Sequence, residues 1–371
     1  MTGESPTATR ESATAVIRGI GTCLPPRVLS NEDVRRRGVL DTTDEWIRSR
    51  TGIARRRAAE DGTSTGDLAV AAGRAAQASA HTRADLVLVA TTTPDRRCPA
   101  TAPEVAHRLG LGTVPAFDLA AVCSGFLYGL VVATALVRTG VCTRPLVIGA
   151  EKYSSIIDPL DRDTAVIFGD GAGAVLLGPG KRTEAGAVTA LDWGSDGAGS
   201  DLIAITAGGS RRPDTSRHLT REERYFRMSG REVYGQAVRR MTASSLAVLE
   251  RAGWPPDTVG AFIGHQANQR ILDSVAERVG IARRYRHGNI RDVGNTAAAS
   301  IPLALADTAE RKRVRPGTRT LFTAFGGGLT WASVALTWPT ARPWNHDPEP
   351  LTTTDPTPRR NQPWKLSTTS W

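Results

Sequence analysis

Hydrophobic residues along this chain follow two rhythms. Short apolar blocks at 15–20, 86–90, 146–149, 259–264, 319–325 and 331–337 have the length and β-branched content of strands. The block 86–90, LVLVA, is apolar throughout, as in a strand covered on both faces. Between these blocks apolar residues recur three and four positions apart, which predicts helices over 65–80, near 101–109, from 124 to 139, over 230–252, and near 267–279 and 296–310. Two shorter helices are expected earlier. One is capped by Ser30 and stopped at Gly38, and the next starts from Thr42 with Glu45 three residues on, a capping-box spacing. Residues 164–177 read as strand, tight turn over Gly169-Asp170-Gly171-Ala172-Gly173, and strand, and the first strand is expected to end at Gly21. Strands alternating with helices in both halves predict an α/β protein of two similar units packed together, divided as 14–180 and 181–339. Residues 1–13 and the Pro, Thr and Arg-rich stretch 340–371 lack a periodic apolar face and read as disordered ends.

The rest of the chain is organised around 117–139, FDLAAVCSGFLYGLVVATALVRT. The strand ends near Leu119, and the following helix is apolar around almost its whole circumference, so it belongs inside the protein. Cys123 sits where strand turns into helix. Unpaired N–H groups and the dipole at a helix start favour a thiolate, and Ala120, Ala121, Ser124 and Gly125 leave room for a substrate. A small buried hydrophobe is the other role a free cysteine fills at such a place.

Composition narrows the setting. The chain has 371 residues, enough for two domains or one large duplicated one. Cys23, Cys98, Cys123 and Cys142 are scattered without paired spacing, and the first residues carry no apolar core, which predicts a soluble protein of the reducing cytoplasm. Apolar runs are expected to fall short of the roughly 20 residues of a membrane span. The net charge of +10 is dispersed, with no basic stripe and no nucleic-acid motif, so anionic small molecules or an acidic protein partner are expected and nucleic acid is not. No Cys, His and carboxylate cluster has metal-ligand spacing, so no metal is expected.

Two further positions carry chemistry. His265 follows the 259–264 block and precedes a helix, at the kind of strand end where ligand-binding groups gather. Asn295 lies in VGNTA, again at a turn into a helix, and its amide donates without ionising. Taken singly, His265 also reads as a satisfied turn histidine and Asn295 as a helix cap. The glycine run in Phe325-Gly326-Gly327-Gly328-Leu329 either presents a backbone N–H to a substrate at close range or forms a plain hairpin.

Together these residues resemble the β-ketoacyl-acyl-carrier-protein synthase III family, the initiating condensing enzymes of the thiolase fold. The likeness covers about residues 15–338 through DTTDEWIRSRTGI, VATTTPD, FDLAAVCSGF, TAVIFGDGAGAVLL, HQANQRI, VGNTAAASIP and FGGGLTW. It implies a thiolase-like fold with its two α/β halves layered α-β-α-β-α. It implies Cys123 as nucleophile with His265 and Asn295 completing the set, and an oxyanion hole from the N–H groups of Cys123 and Gly327. Trp46 and Arg162 are similar to the pair that sandwiches the coenzyme A adenine. Arg50, Thr51, Asn268 and Arg270 are similar to contacts along the channel of the pantetheine and phosphates. Phe325 resembles the residue beside the nucleophile. The family is a homodimer, and the loop with Cys98 would close the partner's acyl pocket. The substrates implied are an acyl-coenzyme A primer and malonyl-acyl-carrier protein, without a cofactor.

The chain also departs from the pattern. Cys98 stands where fatty-acid starters place a bulky aromatic, implying room for longer or branched primers, and Gly235 and Glu277 stand at two positions that are basic where relatives meet carrier protein. These departures favour priming of polyketide over fatty-acid biosynthesis. Two other readings stay open: an acyltransferase passing the acyl group from Cys123 to a hydroxyl or amine, and a non-catalytic subunit that binds carrier protein.

Overall fold

The computed structural model describes residues 13–344; the expectations for 1–12 and 345–371 lie outside them. Two sheets form the frame. Five strands are ordered Ala13–Cys23, Gly171–Lys181, Pro145–Glu151, Leu86–Ala90 and Ala116–Leu119, with the last three mutually parallel. Four more are ordered Ala261–Gly264, Arg319–Gly326, Thr330–Thr337 and Val188–Ser195, of which the first two are parallel.

Helices Gly125–Thr139 and Ser300–Glu310 lie between the sheets, in one core with Leu88, Val147 and Val175 from one sheet and Ile263, Phe322 and Val334 from the other. Helices Thr65–Ala80 and Ala102–Arg108 cover the outer face of the first sheet, and Gly230–Ala252 and Gln269–Val279 cover the outer face of the second. The layers run α-β-α-β-α. The residues Val122–Thr139 form an 18-residue stretch of mean hydropathy 1.6, apolar enough to cross a membrane by composition, contrary to the expectation for such runs. Here 61% of it is buried within the protein, because this helix has sheets on both sides rather than lipid.

Several element boundaries moved for identifiable reasons. The cap of the second short helix is Thr43, whose side chain accepts from Trp46 N, one residue after the expected Thr42. The first strand runs through Gly21 to Cys23, since a Cβ at Gly21 would stand 2.2 Å from the Ala72 carbonyl of the covering helix. Gly171 and Gly173 lie inside a strand rather than in a turn, with Pro302 packed where a Gly173 side chain would go. The expected strand from Thr164 is not formed: Thr164 and Ala165 end a short helix, Arg162–Ala165, because Asp161 accepts from Asp163 N and from the Thr164 hydroxyl. The start of the expected tail is docked: Pro343 bridges to Ile20, Ser79 Oγ donates to the Arg342 carbonyl, and Trp344 meets His81 edge-on.

Candidate active site

The site lies where the C-terminal ends of strands from both sheets meet the starts of the two central helices. Cys123 falls in a single 3-10 turn, Val122–Ser124, that opens into the Gly125–Thr139 helix. Val122 is held at φ 46°, a conformation that a β-branched residue adopts only under constraint. Ser124 Oγ supplies that constraint, within hydrogen-bond distance of the Ala121 carbonyl and of Thr330 Oγ1, while Thr330 Oγ1 also reaches the Ala121 and Gly327 carbonyls, each hydroxyl having one proton to donate. The glycine run is thereby tied to the nucleophile turn. A Cβ on Gly326 would stand 2.8 Å from the Cys123 nitrogen, so only glycine permits this approach.

His265 follows strand Ala261–Gly264 and its backbone N–H donates to the Thr323 carbonyl of the neighbouring strand. Its Nδ1 shares a 2.6 Å hydrogen bond with Ser300 Oγ. Burial lowers the imidazole pKa to about 3, so the ring is neutral across the physiological range. Asn295 is fixed at both levels. Its backbone is bridged to Ile167 and Gly169, and its side-chain Oδ1 accepts from Ala297 N at 2.8 Å, leaving the Nδ2 amide as the donor. The cap reading of Asn295 does not hold: Thr296 and Ala299 occupy the cap positions of the turn Ala297–Ala299 and the helix Ser300–Glu310, and the Asn295 contact with Ala297 N only closes the turn before them.

One cavity, with about 440 Å³ of empty space counting its mouth, is lined by Cys123, His265, Asn295, Phe325 and Gly326. Its remaining wall is apolar, with Phe168, Ile203, Phe226, Met228 and Met241 among the contributors. It suits a hydrocarbon chain ending at a sulfur. The resting electrostatics differ from the sequence expectation. Burial, and after it the Glu151 carboxyl, push the Cys123 thiol well above its ordinary range, with only its own amide pulling down. The resting group is a thiol, because the loss of hydration in a closed cavity outweighs one helix start.

The other expected residues separate into groups. Arg162 stacks over Trp46 with its guanidinium carbon 5.2 Å from the ring centroid, and Arg50 lies 6.0 Å from the same ring. Asn268 caps helix Gln269–Val279, accepting from Arg270 N and donating to the Arg50 carbonyl, so it joins that helix to the Trp46 region. Arg270 sits over Tyr234, 5.9 Å from its centroid. Thr51 is buried, with its hydroxyl engaged by the Ile47 carbonyl and Ile53 N, which marks it as a brace for its helix end. Cys98 is exposed and outside the lining of the cavity in its own chain. Glu277 pairs with Arg286 at 3.4 Å, and Gly235 faces open space. Among the described residues no group of His, Cys, Asp or Glu is placed to hold a metal.

Ser300 and Glu151 escaped sequence reasoning. Ser300 lies in the Ala-rich run after Asn295, where a lone hydroxyl among small residues was the available signal. Glu151, at the end of an otherwise apolar strand, was a similar signal. It accepts from Thr92 N, from the hydroxyls of Thr91, Thr92 and Thr93, and from Ala298 N, and burial raises its pKa to about 8.

A cysteine at a helix start, beside a neutral histidine and a fixed amide between two stacked sheets, defines a condensing enzyme of the thiolase-like fold. Two family models match within the chain, the 3-oxoacyl-[acyl-carrier-protein] synthase III model over residues 117–197 and the C-terminal model of the same family over 249–338. β-Ketoacyl-[acyl-carrier-protein] synthase III 3 of Streptomyces coelicolor is 54% identical over 332 residues, which cover 89% of this chain and 98% of that protein. The crystal structure of 3-oxoacyl-(acyl carrier protein) synthase III from Pseudomonas aeruginosa superposes with a TM-score of 0.82 at 46% identity, over 89% of this chain and all of that one. The priming β-ketosynthase of the R1128 polyketide pathway superposes equally, at 0.82, with 32% identity over 93% of this chain. The chain belongs to the 3-oxoacyl-[acyl-carrier-protein] synthase III family, a class of acyl-transferring condensing enzymes.

Proposed function

We propose that this protein primes fatty-acid or polyketide chains by condensing an acyl-coenzyme A with malonyl-acyl-carrier protein, without a cofactor. The observation that carries this reading is the one apolar cavity wall that Cys123, His265 and Asn295 share. The thiol of Cys123 attacks the thioester carbonyl, and its proton leaves with the departing coenzyme A thiol. Backbone N–H groups of Cys123 and Gly327 hold the tetrahedral oxyanion. Malonyl-carrier protein then enters. With Ser300 donating to Nδ1, the His265 Nε2–H and the Asn295 amide donate to the malonyl thioester carbonyl and stabilise the enolate left by departing carbon dioxide. That carbanion attacks the acyl-Cys123 carbonyl, releasing the Cys123 sulfur and 3-oxoacyl-carrier protein. A neutral histidine suits this task, because a donor is needed and a buried imidazolium would cost too much.

Trp46, Arg162, Arg50, Asn268 and Arg270 are the proposed coenzyme A contacts, and Phe325 lines the acyl end. A homodimer completes the enzyme. Among the described residues strand Ala116–Leu119 is the last strand of its sheet, paired only with Leu86–Ala90, and Phe117 on it is 38% exposed. A second copy added along that edge would bring each exposed Cys98 loop toward the partner's cavity. The small Cys98 side chain, the likeness to a polyketide priming ketosynthase and the dispersed positive charge support a polyketide primer with a larger acyl group, used in the cytoplasm with an acidic carrier protein. The test is intact-protein mass after mixing with a panel of acyl-coenzyme A thioesters, followed by malonyl-carrier protein. An adduct absent from Cys123→Ala, discharged as 3-oxoacyl-carrier protein appears, is the expected result. A persistent adduct beside intact malonyl-carrier protein would instead assign an acyltransferase.

A further inference from the structure

A second cavity lies behind Phe168, whose ring also lines the Cys123 cavity. It has about 570 Å³ of empty space counting its mouth, and its apolar wall includes Leu29, Val34, Ile157 and Phe168. Three arginines, Arg37, Arg56 and Arg57, also line it. None of the three is ion-paired to a carboxylate among the described residues. Arg57 donates to the Pro25 and Pro26 carbonyls, and Arg56 donates to the Leu29 and Val166 carbonyls.

Arg56 is the unusual member. It is 1% exposed, yet its Nε meets no acceptor. A buried guanidinium hydrogen-bonded only to carbonyls is compensated only from a distance, and burial, opposed by the Asp44 and Asp33 charges, pulls its pKa down to about 10. The acids that act on it are committed elsewhere: Asp44 to Arg48 and Asn31, and Asp33 to Ser30. Asp170, the one acid on the cavity wall, accepts from Ala59 N and from Ser154 N and Oγ. Arg37 projects from the adjacent helix Asn31–Gly38 at the exposed rim.

We propose that this second cavity binds a carboxylate bearing a short aliphatic chain, with the carboxylate beside the accessible Arg37 and Arg57 guanidiniums, in the field of the buried Arg56, and the chain against Leu29, Val34 and Phe168. Charge and shape both select for this class. Inorganic anions leave the apolar wall uncovered, and a neutral or cationic chain leaves the arginines unpaired. The site stands apart from the reaction assigned to Cys123, so neither depends on the other.

The test is equilibrium dialysis of full-length protein against labelled hexanoate, with hexylamine as the chain-matched cation. Ala237 lines the Cys123 cavity and not the second one, so Ala237→Phe obstructs only the former. Circular dichroism checks that each variant is folded. The expected result is one saturable hexanoate site that survives Ala237→Phe, weakens at least tenfold in Arg37→Ser, and does not take hexylamine. Loss of binding in folded Ala237→Phe, unchanged affinity in Arg37→Ser, equal binding of hexylamine, or no saturable binding to the native protein would each overturn the proposal.

Discussion

Replacing Gly326 by alanine tests the link between the glycine run and the nucleophile. The new Cβ would lie 2.8 Å from Cys123 N, 3.2 Å from Ser124 N and 3.3 Å from the Ala121 carbonyl oxygen. All three obstacles are backbone, so no side chain can rotate away, and the turn Val122–Ser124 or the end of strand Arg319–Gly326 must move. Overpacking of this kind costs about 1–3 kcal/mol of stability. The chemical cost is larger in proportion, because the atom displaced is the proposed oxyanion donor. Losing one such donor costs on the order of 3 kcal/mol, or about a hundredfold in rate. Rapid-quench mass spectrometry of acyl adduct formation should therefore show Gly326→Ala acylating roughly a hundredfold more slowly, with a lowered thermal midpoint. Gly235→Ala is the control, since nothing lies within contact of a Cβ there. It should leave acylation unchanged and hold or slightly raise stability. A Gly326→Ala protein that acylates at the native rate and unfolds at the native temperature would refute the idea that this approach positions the Cys123 amide.

Three further outcomes follow from the geometry. Ser300→Ala removes the Nδ1 partner of His265 and should slow condensation about tenfold while leaving acylation of Cys123 near native, a split that single-turnover assays of the two half-reactions resolve. Trp46→Ala removes the ring under Arg162 and should raise KM for acyl-coenzyme A about tenfold with little change in kcat, measured by steady-state kinetics across primer concentrations. Glu151 has a folded pKa of about 8 against an ordinary value of 4.5, so the folded state holds the proton more tightly than the unfolded one. Its contribution to stability is whole below pH 4.5 and falls as pH rises toward 8, by up to about 1.4 kcal/mol per pH unit. Denaturant midpoints of Glu151→Gln should show a shallower decline across that window than the native protein, and identical slopes would contradict the burial argument.

Local chemistry made most of the elements readable. The helix Asn31–Gly38 starts from Ser30 as its cap, and Thr65–Ala80 and Gly230–Ala252 show in their own apolar spacing, signals confined to neighbouring residues. Misreadings arose where a distant partner decided the conformation. Gly21 continues a strand because the helix carrying Ala72 approaches it, and Val166 and Ile167 look like a strand by composition but follow a short helix and dock against Arg56 and the Asn295 loop.

The chain by itself determined which residues could do chemistry: a cysteine at a helix start, a histidine at a strand end, an asparagine at a turn and a run of glycines. Side-chain type and the hydrogen-bonding demands of adjacent backbone are properties of a short segment, so a short segment discloses them. Only the tertiary structure decided their protonation and direction. The neutral His265, the raised Cys123 thiol and the Asn295 amide fixed by Ala297 depend on burial and on partners such as Ser300 and Glu151, far along the chain in two of the three cases. Desolvation is set by everything packed around a group, and no local stretch of sequence contains that sum.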